Sequence, residues 1–347
     1  MQENAGVAVS MEQVAREAGV AVSTVSRALR GDRRIAPATR SKVKEAAERL
    51  GYRPNPLIAA LMARLRAAYP PTASCNLAWL DVRGDSPHWW KTNAVARAFY
   101  TGAARRAELA GFALDRTWAL DPTATRESIT QHLLSRGVRG VLLQGFESGE
   151  SLGERIPLQL DQFVTVSVGT IYRNPDLHFA SNDQYASART AVQHLWALGY
   201  RRIGYWADPH VESVVQRRFA GGYQMTVQVE FGGEALPLLL SVDPKNVRQW
   251  LEAHRPEAVV SAYPRWRDIF SALGLAVPAD IGFAHLHVRA DDPDTSGICQ
   301  NSEEVGAAAV ELLVSELSGT EFGVPRLPKG LLIPGRWVPG RTVRQIR

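Results

Sequence analysis

From about residue 74 onward, short apolar runs alternate with amphipathic segments, and this alternation constrains the fold more than any other feature. Runs at 76–82, 112–118, 138–143, 163–168, 202–206, 236–240, 258–262 and 281–286 read as strands. Segments near 93–110, 125–136, 185–198, 213–228, 245–254, 266–273 and 302–318 read as helices. Strand–helix–strand succession yields parallel sheets with helices on their faces. The runs fall into two groups on either side of about residue 183, which predicts an α/β body of two Rossmann-like subdomains facing a cleft. A chain of 347 residues is longer than one core usually organises, so further domains are expected.

Several classes of function lose support at once. No G-x-G-x-x-G or G-x-x-x-x-G-K-[ST] is present, so neither a dinucleotide nor a nucleoside triphosphate is indicated. Cys75 and Cys299 are the only cysteines and lie far apart, which fits neither a disulfide framework nor a zinc site. His285 and His287 lack an accompanying acidic or cysteine cluster, so no metal and no cofactor are expected. No apolar run approaches the ~18 residues of a membrane span, and the first residues lack a secretory pattern. A cytoplasmic protein without a membrane partner is the expectation. H-E-x-x-H does not occur, and no enzyme is predicted.

The basic charge is concentrated. Residues 1–70 hold 12 Lys and Arg against 6 Asp and Glu, a net of +6, while the remainder carries 28 against 29, a net of −1. Such a split describes a small phosphate-binding head on a neutral body. Within the head, Ser10 and Gln13 form an S-x-x-Q capping box ahead of Met11, Val14, Ala15 and Ala18 at helical spacing. Gly19 suits the left-handed residue that ends a helix, and a second helix starts about three residues later. On that helix Thr24, Val25, Ala28 and Leu29 share one side, while Val22, Ser23, Ser26, Arg27 and Arg30 share the other. Hydroxyls and guanidinium groups there can meet phosphates and base edges, and a valine can meet a thymine methyl. A third helix follows Pro37, with Val43, Ala46, Ala47 and Leu50 inward. Beyond Pro54 and Pro56, a short apolar helix with Leu57, Ile58, Leu61 and Leu65 on one side is too short to stand alone in water and calls for a partner.

These segments resemble the lac-repressor/galactose-repressor family of transcription regulators. The matching pieces are S-M-E-Q-V-A-R-E-A-G-V at 10–20, S-T-V-S-R at 23–27, T-R at 39–40 and G-Y-R-P-N at 51–55. The resemblance places Ser10 and Thr39 among the DNA contacts, puts Val22, Ser23 and Arg27 at the base-reading positions, sets Asn55 at the head of a hinge helix and makes Leu61 a minor-groove wedge. It extends through the body at "ASNDQYASARTAVQHLWALGYRRIGYW" (180–206), "QRRFAGGY" (216–223), "GLAVPADIGFAHL" (274–286) and "PGRWVPGRTV" (334–343). It therefore implies a three-helix helix-turn-helix head (1–54), a hinge helix and linker (55–73) and a type I periplasmic-binding-protein-like body (74–347). The body's N-subdomain would span about 74–183 and 302–320, and its C-subdomain about 184–301 and 321–347.

It also implies a homodimeric repressor that binds double-stranded palindromic operator DNA, governs carbohydrate metabolism and answers a small-molecule effector in the cleft. Arg218 matches the arginine that commonly meets the effector, with Arg217 as the alternative, and Asp183 and Trp89 are assigned to the same site. Departures are concentrated here. Tyr263-Pro264 replaces the family's N-D pair, and His287 stands where an acidic residue would take sugar hydroxyls. From Arg218 and His287, either an effector other than a simple neutral sugar, such as a sugar acid, or a degenerate pocket with no ligand is expected. Ala21 and Ala36 replace helix-capping serines, and Ile58 replaces a small hinge residue. The competing class is a solute-binding protein of the same body fold, which leaves the basic head unexplained.

Overall fold

The computed structural model describes residues 11–29, 35–50, 76–82, 86–121, 123–145, 158–172, 175–289, 291–319 and 321–346. The chain forms two compact units, Met1–Ala73 and Ser74–Arg347.

The first unit contains helices α1 (Met11–Ala18), α2 (Val22–Leu29) and α3 (Pro37–Leu50). Small apolar residues let three short helices meet: Val14, Ala15 and Ala18, Val25 and Ala28, and Val43, Ala46 and Ala47 form one buried cluster. The α1–α2 turn is a Schellman motif. Gly19 adopts φ +63°, its N–H donates to Arg16 O at 3.3 Å, and the Val20 N–H donates to Ala15 O at 3.0 Å. A side chain at that φ would be strained, so the glycine sets the angle at which α2 leaves α1. With Ala21 before it, α2 is held at its start by the Thr24 and Val25 N–H groups donating to Ala21 O.

In the second unit the first sheet has the order β11-β5-β4-β3-β1-β2 and is wholly parallel. Its strands are β1 (Asn76–Asp81), β2 (Ala113–Trp118), β3 (Gly140–Gln144), β4 (Val164–Val168), β5 (His178–Asn182) and β11 (Gly330–Ile333). The helices of this half are α4 (Trp89–Thr92), α5 (Ala94–Ala110), α6 (Arg126–Ser135) and α12 (Ser302–Leu317), and α12 packs on α5 and on β3, β4, β5 and β11. Two glycines permit the α5–α12 approach: a Cβ on Gly102 would lie 1.8 Å from Glu303 O, and one on Gly306 would lie 1.9 Å from Phe99 O.

The second sheet runs β12-β10-β9-β8-β6-β7, parallel except for the antiparallel β10–β12 pair. It comprises β6 (Ile203–Ala207), β7 (Leu239–Leu240), β8 (Ala258–Ser261), β9 (Gly282–His285), β10 (Gly297–Cys299) and β12 (Arg336–Val338). Helices α7 (Gln184–Ala197), α8 (Pro209–Val214), α9 (Arg218–Met225), α10 (Pro244–His254) and α11 (Trp266–Ala272) accompany it. The chain passes between the halves after β5, after β10 and between β11 and β12. These passages are tied together: Asn182 Nδ2 donates to Gln300 O at 2.7 Å, Asn301 Nδ2 to Pro334 O at 2.9 Å, and the Asp183 N–H to Ile333 O at 2.8 Å.

Two expectations need correction. Residues 321–347 do not all belong to the second half, because β11 pairs parallel with β5 along the edge of the first sheet. It is drawn there by the Phe179 N–H donating to Lys329 O and the Lys329 N–H donating to His178 Nδ1, both at 3.0 Å. The segment 213–228 is not one helix either. Asp208 caps α8 through the His210 N–H at 2.8 Å with Pro209 in its first turn, so the helix starts earlier. Gln216 and Arg217 then adopt φ 53° and 57°, α9 restarts at Arg218, and Thr226–Glu230 widens into a π-helical turn.

Candidate functional site

In the head, α2 carries the proposed reading positions. The buried Val25 and Ala28 fix its inner side. By the helical step, positions 23, 26 and 27 fall on the far side and 22 at its edge. The side chains of Val22, Ser23, Ser26 and Arg27, and the whole of Ser10, Arg30, Asn55 and Leu61, lie outside the described residues, as does Cys75. Thr39 is half-buried in the first turn of α3. Exposed Arg16, Lys42, Lys44 and Arg49 give the described part of the head a basic surface, offset by Glu17 and Glu48, which lie 3.3 Å from Arg49 and 3.9 Å from Lys44.

In the body, a cleft of about 440 Å³ opens between the start of α5 and the segments that follow β9 and β10. Val95, Ala98 and Thr101 line one wall, and His287, Gln300 and Asn301 line the other. His287 is therefore placed at a site where a ligand could meet it. Burial first, and its neighbour His285 second, hold its pKa down at about 4, so at neutral pH it offers one donor and one acceptor and no charge.

His285 behind it is buried, with Nδ1 2.8 Å from His287 O and 3.1 Å from the His287 amide nitrogen, and Nε2 3.3 Å from Tyr263 O. In the neutral ring, Nδ1 either donates to the His287 carbonyl or accepts the His287 N–H, according to the tautomer. Burial lowers the His285 pKa and favours that neutral form. Tyr263 meets His285 through its carbonyl. Its ring, 6% exposed, packs 5.2 Å from Trp206 in the aromatic core, and its hydroxyl accepts from Arg265 at 3.2 Å.

Asp183 and Arg218 are brought together. Asp183 Oδ1 caps α7 by accepting the Ala186 N–H at 3.0 Å and lies 3.7 Å from an Arg218 terminal nitrogen. Arg218 Nε is buried with no hydrogen-bond partner among the described residues. Arg217, by contrast, is exposed. Trp89 is half-buried on α4 and is not part of the cleft wall; its neighbour Trp90 stacks instead on Arg116, whose guanidinium carbon is 4.0 Å from the ring centre.

Two features escaped the sequence reading. Gln300 and Asn301 follow the three-residue strand β10, and the left-handed Asn301 (φ 51°) turns the chain into α12. Gln216 Nε2 donates to Ile171 O at 3.0 Å, so a second-half residue bridges to the loop after β4 of the first. The polar run Q-N-S-E at 300–303, directly behind an apolar triplet, was the available signal for the first; the second had none.

Residues 10–55 match the family model described as bacterial regulatory proteins, lacI family, and residues 192–343 match that of the periplasmic binding protein-like domain. The HTH-type transcriptional regulator PtxS of Pseudomonas plecoglossicida is 26% identical over 344 residues, covering 92% of this chain and 92% of that protein. The transcriptional regulator CelR in its cellobiose complex has a similar fold, with a TM-score of 0.60 at 22% identity over 96% of this chain and 100% of that one. The lac repressor dimer bound to operator and the anti-inducer ONPF likewise shares the fold, with a TM-score of 0.57 at 19% identity over 97% of this chain and 99% of that one.

Proposed function

The chain belongs to the lacI family of bacterial regulatory proteins and is a DNA-binding transcriptional regulator, not an enzyme; from that premise we propose that it is a repressor that binds a palindromic operator as a homodimer and is controlled by an effector in the cleft. Val22, Ser23, Ser26, Arg27 and Arg30 read base edges, Ser10 and Thr39 hold phosphates, and Asn55 and Leu61 belong to a hinge that wedges the minor groove. The observation that carries this reading is the Gly19 turn, which delivers α2 from a compact cluster of small apolar residues inside the basic fifth of the chain. The operator and cellobiose complexes of the two similar structures support the assignment of partners. A cytoplasmic location follows from work on chromosomal DNA.

His287 in the cleft wall and the Asp183–Arg218 pair form the effector contacts. A neutral imidazole in place of a carboxylate, together with an arginine whose buried Nε has no partner among the described residues, favours an acceptor-rich molecule such as a sugar acid over a neutral sugar. An effector that prefers one cleft closure shifts the population of closures and thereby operator affinity, by an amount equal to its differential affinity.

The test is fluorescence anisotropy on duplexes selected by the full chain, with and without sugar acids and neutral sugars. Arg27→Ala is expected to lose about 1–3 kcal/mol of discrimination between the selected and a scrambled duplex. Wild-type protein that binds both duplexes equally would overturn the reading.

A further inference from the structure

At the carboxyl end of the first sheet, the last residues of three neighbouring strands stand in one row. Trp118 of β2, Asp81 of β1 and Gln144 of β3 are register partners, and paired residues of a parallel sheet point to the same face. Arg116 stands one step back, beside Trp79. Asp81, 1% exposed, is fully engaged: Oδ1 accepts the Trp79 indole N–H at 3.1 Å and Oδ2 accepts Arg116 Nε at 2.6 Å. The Arg116 guanidinium is clamped by aromatic faces, 4.0 Å from the Trp90 ring centre and 4.7 Å from that of Tyr100.

Around this engaged pair, four polar atoms are buried without a hydrogen-bond partner among the described residues: both terminal nitrogens of Arg116, Trp118 Nε1 and Gln144 Oε1. Gln144 is itself only 1% exposed. A buried donor or acceptor without a partner is strongly unfavourable, and a charged donor more so, which is why such groups collect where a ligand belongs. These lie at the carboxyl ends of parallel strands, where open α/β sheets take their ligands.

We propose that this row is a subsite for a carboxylate, held by the Arg116 fork and the Trp118 N–H, with Gln144 Oε1 accepting from a hydroxyl of the same molecule. The ligand class is a hydroxy acid. A planar fork matches two carboxylate oxygens, and a third donor beside it matches nothing in a neutral polyol. Asp81 already neutralises Arg116, so a phosphate dianion would be further from charge balance here than a monoanion. The four atoms are closed off within this chain, so a second copy cannot reach them. Entry requires Trp90 to lift on the four-residue helix α4, and the tryptophan emission must report it. This subsite rests on the reading of the body as an effector-binding module and names the end of the effector that it holds.

The experiment uses the full chain with sodium acetate and sodium glycolate, chloride being exchanged to keep ionic strength constant. Tryptophan emission, the thermal midpoint and operator affinity are followed together. In the wild type, acetate shifts the emission and raises the midpoint by about 3 °C at ten times its Kd, while chloride does neither. Arg116→Lys keeps the charge beside Asp81 but not the fork, and weakens acetate at least tenfold. Trp118→Phe removes a single N–H and weakens it several-fold, which keeps the test valid should Arg116→Lys fail to fold. Glycolate binds more tightly than acetate in the wild type but not in Gln144→Leu. Acetate that acts no differently from chloride, or that acts equally on wild type and variants, overturns the subsite and leaves the row as a water site. Protein that binds operator and responds to a neutral sugar, yet ignores both acids, removes this subsite alone; protein that binds no operator removes the regulatory reading instead.

Discussion

Around the carboxyl end of its sheet the first half of the body buries an ion pair, Asp81 against Arg116, whereas the second half packs Trp206, Tyr263, Trp266, Phe270 and Phe283 into one aromatic block. The first half also brings α5 and α12 together over Gly102 and Gly306. Hydrogen bonds and backbone contacts are directional, so small displacements there are costly. Aromatic burial is large but less particular about angle, and it makes the second half a stiff mass. The difference implies that positional accuracy resides in the first half and bulk stability in the second.

Phe283→Ala breaks the comparison hardest. Phe283 is 0% exposed, stacks on Trp266 at 4.1 Å between ring centres and meets Phe270 edge-on at 5.6 Å. A loss of about 3–5 kcal/mol is expected in urea unfolding. A loss below about 1 kcal/mol would show that the block is not one packed unit.

Gly306→Ala is the counterpart in the first half and is expected to cost about 3 kcal/mol, because its methyl meets backbone that cannot rotate away. Hydrogen exchange should locate the damage in β1, β3 and β4 and spare β6 and β8. Equal damage to both sheets would erase the distinction between the halves.

Glu212→Gln is the smallest and sharpens the picture. Glu212 is the second half's buried carboxyl. It accepts the Tyr205 hydroxyl, and burial pushes its pKa up. As pH rises past the ordinary glutamate range, the unfolded chain releases this proton before the folded one does. Stability therefore falls through that window, and the cost is complete above the raised folded pKa. The glutamine variant should lose that slope and exceed the wild type in thermal midpoint at neutral pH. Parallel midpoint curves for the two proteins from acid to neutral pH would assign Glu212 no such role.

How far these features were legible depends on the distance over which they are decided. Strands β1–β4, β6, β8 and β9 were readable because each is an apolar run beside an amphipathic helix. The short β10 and β12, and β11, exist by pairing with partners distant in sequence; β11 reaches back about half the chain to β5, and no local pattern encodes that. The break before α9 falls on Gln216 and Arg217, non-glycine residues whose left-handed backbone is set by surrounding contacts, not by composition. The resemblance named Asp183, Arg218 and His287 as effector contacts; the structure sets Asp183 beside Arg218 and His287 in the segment after β9. Tyr263 departed from its expected role because Trp206 and its aromatic neighbours give the ring a better environment than water. Arg116 carries no signal of its own in the sequence; only the register with β1 makes it a partner of Asp81.

The amide ties among the three passages between the halves, Asn182 to Gln300 and Asn301 to Pro334, have a mechanical corollary. Three side-by-side connections buttoned in this way resist sliding and twisting, and leave a single swing about their common line as the soft motion. Molecules of different size or charge then differ in how far they turn the joint, while the path is the same for all of them. A regulator made like this can exchange its signal molecule by altering a few cleft side chains and keep its output gesture unchanged.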